Sequence, residues 1–351
     1  MSKKKSIAVF VPGLHGGVDE AAGHLFSGGD SDRYRITLHR TKGLDGRRAP
    51  LVFGRVLVRL IADRLRGRLD GAHINMSFRG STVRKTIIGL LLTALRVPYV
   101  VQIHSGGYRG WWADLGPIPR ALVRAMTGRA ERVAVLGTVF LPVVTEDFGL
   151  PAERAVVMPN GVPWTAIDAR DLPIERAHVL YLGRLHADKG TFALIEALSA
   201  LGDLEWSATL AGNDQVAEVR AAVAAAGLQD RIGVLDWVSR AEATELARGS
   251  TIFALPSHNE AMSMSLLEAM GQGMACIATP VGAHPDVLVD GENALVVEPG
   301  SVEQLTAALR SVITDADVRR RLGTEAKATV DRHYDTAVVR HRWEQIYDEV
   351  F

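Results

Sequence analysis

Short apolar runs alternating with helical stretches constrain this chain more than any other feature, because the alternation occurs twice. Ser6-Ile-Ala-Val-Phe-Val11 reads as a buried strand ending at Pro12-Gly13, and a helix opens near Asp19. Strand-like runs recur around Tyr34–Leu38, Gly71–Met76, Val97–Ile103 and Arg132–Leu136, with helical patterns between them at 51–69, 81–96 and 117–129. The alternation restarts at Val179 and runs through Trp206–Ala211, Ile232–Leu235, Thr251–Leu255 and Cys276–Thr279. Strands separated by helix-length segments are expected to pair in parallel, with the helices covering the sheet. The expected class is α/β with two doubly wound parallel sheets, and 351 residues suffice for two cores.

Pro159-Asn-Gly-Val-Pro163 and the loop-like residues up to Pro173 form the natural link. The expected domains are therefore 1–163 and 164–334. Asp335 to Phe351 is a separate amphipathic helix pattern, with Val339, Trp343, Ile346 and Tyr347 on one side. At 47% hydrophobic and 23% charged residues, the composition is that of a globular protein without a disordered signature. The single cysteine, Cys276, excludes an intrachain disulfide and sits in an apolar run that suits packing. A reducing, cytoplasmic setting fits. The apolar run behind Met1-Ser-Lys-Lys-Lys5 is too short for a signal peptide core or a membrane span.

Glu260 and Glu268 sit in Pro256-Ser-His-Asn-Glu-Ala-Met-Ser-Met-Ser-Leu-Leu-Glu-Ala-Met270, behind the apolar run Ser250–Leu255. The segment from about Met262 to Gly271 reads as a helix stopped by Gly271 and Gly273, with Glu268 inside it and Glu260 in the loop ahead. A helix N-terminus presents unpaired N–H groups and suits a phosphate. A carboxylate beside it can bind hydroxyls of the same ligand, and a phosphate flanked by hydroxyls describes a nucleotide sugar. Alone, two glutamates at this spacing arise readily by chance. Here Asn160-Gly161-Val162, Val179-Leu-Tyr-Leu-Gly-Arg-Leu-His-Ala-Asp-Lys-Gly190 and Ala275-Cys-Ile-Ala-Thr-Pro-Val-Gly-Ala-His-Pro-Asp286 accompany them in order.

That set resembles the donor half of the retaining family-4 glycosyltransferases, which have the GT-B architecture of two Rossmann-like, doubly wound parallel-sheet domains facing a cleft. The resemblance is specific over 156–300 and much weaker over 1–150. It implies transfer of a hexose from a nucleotide diphosphate sugar to a saccharide acceptor, with no metal or other cofactor. Arg184 and Lys189, five apart between Gly183 and Gly190, match the family's diphosphate clamp, a fork and a point charge for phosphate oxygens. The resemblance also implies that Glu260 contacts the hexose and Glu268 the ribose. Backbone amides around Met262, Ser263, Met264 and Ser265 would contact sugar and phosphates. Ser263 stands where many relatives have Gly, so donor preference does not carry over. The 335–351 helix is expected to cross back onto the first domain.

In the first half, Gly16-Gly17 follows the first strand, where a side chain would obstruct a diphosphate, although the dinucleotide-binding spacing is missing. His104 ends the strand Tyr99-Val-Val-Gln-Ile-His104, at the strand end where open sheets bind ligands. It resembles the family's histidine that faces the donor sugar. His15, His258 and His284 are weaker candidates, and Asp286 reads as structural. Asp30-Ser-Asp32 matches the Asp-x-Asp of metal-dependent transferases, but in a Gly/Asp-rich loop it reads as a solvated turn.

Residues 1–165 hold 24 Lys and Arg against 12 Asp and Glu, and the remainder the converse excess, 16 against 28. Arg55, Arg59 and Arg66 share a helix face, Arg84, Lys85 and Arg96 flank Ile87–Leu92, and Trp111-Trp112 precede Arg120 and Arg124. On any one helix this suits core and solvent. Together it points to peripheral contact with an anionic membrane. The family resemblance adds the expectation of a lipid-linked saccharide acceptor in surface polysaccharide assembly. Nucleic acid is disfavoured by the acidic second half. A nucleotide-sugar 2-epimerase and a catalytically silent partner subunit of the same fold remain the alternatives.

Overall fold

The computed structural model describes residues 4–13, 17–26, 30–42, 49–163 and 177–351. The chain divides into two compact units, Met1–Gly161 with Thr336–Phe351, and Val162–Asp335. The link leaves the first unit at Gly161, ahead of Pro163, because Val162 bridges to Asp335 and donates its N–H to the Tyr334 carbonyl at 2.9 Å.

In the first unit, β1 (Lys5–Val11), β2 (Tyr34–Arg40), β3 (Gly71–Met76), β4 (Tyr99–Ile103), β5 (Arg132–Val135) and β6 (Ala155–Val157) form one sheet. Its order is β2-β1-β3-β4-β5-β6, all pairs parallel. β6 is a three-residue edge strand, too short to show a period in the sequence. One face is covered by α2 (Ala49–Leu65), α3 (Gly80–Ala94), α4 (Tyr108–Ala113) and α5 (Pro117–Thr127), around a core that includes Val56, Ile88, Trp112 and Met126. α2 stops short of residue 69 because Gly67 turns left-handed at φ 62°. α4 has six residues and carries no helical period of its own.

The other face is covered by α1 (Gly17–Phe26) and α12 (Thr336–Val350). Val339, Trp343 and Tyr347 of α12 are fully buried against Phe26, Tyr34 and the strands. His73 of β3 lies 4.2 Å from the Trp343 ring, and its Nδ1 is 2.6 Å from the Tyr347 hydroxyl.

Two expectations for this unit are overturned. Lys85 is fully buried, with its amino group on the Val11 carbonyl, so it is not a surface cation. Trp112 is 4% exposed and packs edge-on to Phe148, so it offers no apolar surface, while Trp111 is partly buried against the same core. Arg120 and Arg124 turn back over the Trp112 ring and donate to the carbonyls of Ala113 and Asp147.

The second unit repeats the plan with β7 (His178–Leu182), β8 (Ser207–Ala211), β9 (Ile232–Leu235), β10 (Ile252–Leu255), β11 (Ala275–Ala278) and β12 (Leu295–Val296). The order β12-β11-β10-β7-β8-β9 is again parallel throughout. Between and after the strands come α6 (Thr191–Ser199), α7 (Val216–Ala225), α8 (Arg240–Arg248), α9 (Met264–Gly271), α10 (Val302–Thr314) and α11 (Ala316–His333). α11 crosses close to the turn after α9: a Cβ on Gly323 would stand 1.9 Å from the Gly273 carbonyl oxygen. Cys276 is fully buried in β11, and burial pushes its thiol pKa up. Among the described residues no helix is long and apolar enough to cross a membrane.

Each sheet changes direction beside its first strand. β1 has β2 on one side and β3 on the other; β7 has β8 on one side and β10 on the other. Connections leaving the carboxyl ends of such neighbours diverge, and the crevice between them is where open α/β sheets bind ligands.

Burial holds the His73 and His104 imidazoles down at about 3 and His39 at about 4, so all three are neutral in the native protein. In the unfolded chain they titrate near pH 6.5. Below that pH the unfolded state takes up protons that the native state does not, and stability falls until the native pKa is reached, by up to about 1.4 kcal/mol per pH unit for each histidine. Urea unfolding between pH 7 and pH 4 should show this decline, with a shallower slope in His73→Gln. Equal slopes in the two proteins would remove His73 from the account.

Candidate active site

In the second unit the crevice lies between the connections leaving β7 and β10. After Leu182 the chain passes Gly183 and Arg184, then makes a 3₁₀ turn over Ala187–Lys189 that ends at Gly190. Gly190 has φ 71°, and a Cβ there would stand 2.0 Å from the Pro256 carbonyl oxygen, so only glycine lets the two connections approach this closely. His258 donates its N–H to the Asp188 carbonyl at 2.8 Å, joining them again.

Lys189 and Glu260 meet there. The lysine Nζ is 2.7 Å from Glu260 Oε1, both side chains 15% exposed, and it donates to the Asn259 carbonyl at 2.8 Å. The Ser257 hydroxyl donates to the same Oε1 at 3.0 Å, which leaves Oε2 of Glu260 unengaged among the described residues. Half-burial makes this pair worth more than a surface ion pair, though still screened by solvent. From behind, Gly282 (φ 59°) backs onto the loop so closely that a Cβ would stand 2.1 Å from the Glu260 carbonyl oxygen. His284 is buried beside it with Nδ1 2.9 Å from the Thr279 carbonyl, and burial lowers its pKa.

Arg184 is not part of that pair. Its guanidinium is half-exposed and lies 3.4 Å from Asp214, in the loop beyond β8. Its own carbonyl accepts from the Tyr181 hydroxyl at 2.6 Å. The two cations of the expected clamp thus stand on different carboxylates.

α9 begins at Met264, two residues later than the sequence suggests, because Ser263 caps it by accepting from the Leu266 N–H at 3.2 Å. Met262 and Ser263 are therefore buried loop residues, and Met264 and Ser265 form the first turn. Glu268 lies one turn on and lines a pocket between α8 and α9. Leu182, Phe253, Ala247 and Met274 form its apolar wall, and Arg240, Thr244, Ser265 and Gln272 are its other polar neighbours. Gln272 Oε1 is buried there with no partner among the described residues. A pocket with an apolar wall and a few polar groups suits a flat heterocycle with an attached sugar.

In the first unit, His104 stands at the end of β4 with Nε2 2.7 Å from Asn75 Oδ1. Asn160 lies beside it, in a small depression shared with Ala22, Leu25 and Gln102. Burial, the largest influence, lowers the His104 pKa, and hydrogen bonding with Asn160 partly opposes it. A neutral imidazole can accept or donate towards a hydroxyl. Asn160 belongs to this group in the first unit. Gly17 opens α1, whereas His15 and Gly16 lie outside the described residues. Asp30 accepts from the Ile36 N–H at 3.3 Å and has Lys4 and Arg35 within 4 Å, at 3.8 and 3.6 Å. Asp286 ends a 3₁₀ turn, with its carbonyl accepting from the Tyr334 hydroxyl.

Sequence reasoning did not single out Ser257, Asn259, Asn75 or Gln272. Ser257 and Asn259 follow β10, and Asn75 is the penultimate residue of β3, which is a signal in principle. Gln272 at the end of α9 gives none, because only the fold brings it into the same pocket as residues of α8.

The family described as Glycosyl transferases group 1 matches residues 164–329, and Glycosyltransferase Family 4 matches residues 7–164. The alpha-D-kanosaminyltransferase of Streptomyces kanamyceticus is 26% identical over 306 residues, 80% of this chain and 78% of that protein. The lipopolysaccharide core biosynthesis mannosyltransferase LpcC of Rhizobium leguminosarum bv. viciae is 33% identical over 164 residues, 44% of each chain. The crystal structure of Anabaena HepE in complex with UDP has the same fold, with TM-score 0.77 at 17% identity over 98% of this chain and 100% of that one. With both halves of the chain matched and both sheets in place, this protein belongs to the family-4 glycosyltransferases of the GT-B fold.

Proposed function

We propose that this glycosyltransferase moves a hexose from a nucleotide diphosphate sugar to a lipid-linked saccharide in surface polysaccharide assembly, with retention at the anomeric carbon. The Lys189–Glu260 pair at the crevice between β7 and β10 carries the reading. It sets a cation for phosphate oxygens and a carboxylate for sugar hydroxyls within one hydrogen bond of each other. Lys189 has a third N–H for the leaving diphosphate, and Oε2 of Glu260 can accept from the hexose. Glu268, in the pocket between α8 and α9, would hold the ribose with the base against the apolar wall. UDP bound by HepE supports a nucleotide donor, and the role of LpcC in lipopolysaccharide core biosynthesis supports the acceptor class.

Transfer requires stabilising the charge that grows on the diphosphate as the glycosidic bond breaks. Lys189, Arg184 once it leaves Asp214, and the amides at the start of α9 would do this, with no metal needed. Neither glutamate serves as nucleophile: Glu260 is engaged by Lys189 and Ser257, and Glu268 is given to the ribose. The acceptor would enter on the leaving-group face, and the diphosphate would help remove its proton. Epimerisation and a silent partner role are the competing readings, separated by turnover without acceptor and by no turnover at all.

Glu260→Ala should abolish transfer yet keep or slightly raise affinity for the free nucleotide diphosphate, because Lys189 is released. Glu268→Ala should weaken that affinity by roughly 1–3 kcal/mol, the range for hydrogen bonds to a charged group. Calorimetry with UDP, GDP and ADP measures both, and the opposite ordering would reverse the assignment.

Lys189→Ala and Arg184→Ala should each depress kcat more than they raise KM, since leaving-group charge is greatest in the transition state. Activity should survive EDTA. Activity lost to EDTA and restored by manganese would sink the metal-free clamp.

Contact with an anionic bilayer is part of the same proposal. Eight of the twelve exposed large apolar side chains among the described residues lie on α2, α3 and α5: Leu51, Val58, Ile61 and Leu65, Val83 and Ile87, Ile118 and Leu122. Arg55, Arg59, Arg66 and Arg96 are exposed among them, and each cation near an anionic surface contributes about 1 kcal/mol. Co-sedimentation should show binding to vesicles of acidic lipid that fades with salt and is lost in Arg55→Glu/Arg66→Glu/Leu65→Asp. Equal binding to neutral vesicles, or none at low salt, would leave this face to the acceptor's own phosphates or to solvent.

A further inference from the structure

One face of the β3–β4 pair is polar where a core would be apolar. Side chains alternate along the strands, so Ala72, Ile74, Met76, Val101 and Ile103 enter the core beside α2 to α5. His73, Asn75, Gln102 and His104 take the opposite face, against α1 and α12, with Asn75 and Gln102 directly paired. All four are buried, His104 the least so at 8% exposed. Folding alone does not ask for this. β10 and β11, an equally buried neighbouring pair in the second sheet, are apolar throughout save for Cys276. A buried polar group costs stability unless it is hydrogen-bonded, so a polar stripe in a strand pair calls for a reason.

Each member of the stripe is tied down. His73 Nδ1 lies 2.6 Å from the Tyr347 hydroxyl, Gln102 Nε2 donates to the Met158 carbonyl at 3.2 Å, and His104 Nε2 meets Asn75 Oδ1 at 2.7 Å. The last contact decides the chemistry of the ring. His104 is neutral and carries a single N–H, and the partner of one nitrogen fixes what the other can do. An amide oxygen only accepts. Nε2 therefore holds the hydrogen, and Nδ1 keeps a bare lone pair. Nδ1 is buried and makes no hydrogen bond of good geometry among the described residues, with Asn160 the polar neighbour beside the ring. An Asn75 amide turned over would present Nδ2 and impose the opposite tautomer, so Asn75 is the group that sets the state of the ring.

We propose that Asn75 is a positioning residue for transfer: it holds His104 in the Nε2–H form, so that Nδ1 accepts a hydrogen bond from a sugar hydroxyl of the substrate. His104 directly follows β4, at the edge where open parallel sheets bind ligands, and it lines the depression that it shares with Asn75 and Asn160. The inference rests on the transfer reading above for the identity of the hydroxyl, but not for the state of the ring. Asn75 acts through the imidazole and gives nothing to the reaction itself.

Asn75→Leu replaces the amide by an apolar group of similar outline. Long-range proton–nitrogen correlation spectra of the histidine rings should show His104 of the wild-type protein protonated at Nε2 and bare at Nδ1, and a mixture of tautomers in the variant. kcat should fall at least tenfold with KM for the nucleotide sugar changed less than about threefold, and Asn75→Asp, which keeps an oxygen facing the ring, should recover most of the loss. A double-mutant comparison separates positioning from packing: in His104→Ala, adding Asn75→Leu should cost less than about twofold. Hydrolysis of the nucleotide sugar without acceptor, measured alongside, tells two hydroxyls apart. Its loss together with transfer assigns the hydroxyl to the donor sugar, and loss of transfer alone assigns it to the acceptor. Asn75→Ala takes over with the same readouts if Asn75→Leu does not fold. A wild-type ring protonated at Nδ1, an unchanged tautomer or unchanged kcat in the variant, or an equal loss of kcat with and without the His104 ring would overturn the proposal. Absence of turnover by the wild-type protein with any nucleotide sugar would sink the transfer reading instead, and the spectra would still decide whether Asn75 sets the tautomer.

Discussion

In a sheet whose strands all run one way, every strand ends on the same edge. The chain must cross back over a face to start the next strand, so each carboxyl end feeds a loop and each loop feeds a helix N-terminus. Both units here obey that constraint, and both reverse their strand order beside the first strand. Backbone amides, loop side chains and helix termini are thereby gathered at one edge without any further device. Arg184 and Lys189 come from the connection after β7, Glu260 and Glu268 from the one after β10, far apart in sequence, and the parallel sheet brings them to a common edge.

Within that frame, small residues decide how closely the connections approach. Gly190 lets the loop after β7 touch the Pro256 carbonyl, and Gly282 lets the loop after β11 touch the Glu260 carbonyl. The result is a pair of opposite charges, Lys189 and Glu260, held in a half-buried place where solvent screens them less than at the surface. The site therefore starts out balanced, with each charge already partnered and each still able to reach a ligand. Arg184 differs: its exposed contact with Asp214 at 3.4 Å is weak enough to be given up.

Much of the fold was legible because a buried parallel strand announces itself as an apolar run, and ten of the strands did so. β6 and β12 did not, being three and two half-buried residues at sheet edges. The Glu260 to Glu268 segment was legible as a motif, but the Lys189–Glu260 contact was not, since nothing in either local stretch says that the lysine turns towards the glutamate. The start of α9 was misplaced by two residues because Ser263 looked like helix and acts as its cap. Lys85 and Trp112 were misread for a common reason. A basic or aromatic residue on an amphipathic helix carries no sign of which partner it meets, and only the packed structure shows Lys85 on Val11 and Trp112 against Phe148.

The helix α12 has a consequence for how the molecule comes into being. Trp343 and Tyr347 fill the core beneath α1 and β3, so the first unit lacks a wall until residues 336–350 have been made. Val162–Asp335 precedes them entirely and has its own core. During synthesis the part of the protein that emerges first must therefore wait, with one face of its sheet uncovered, while the part that emerges later closes before it. The usual order of vectorial folding is inverted, and the half-made first unit is the species that most needs shielding from aggregation.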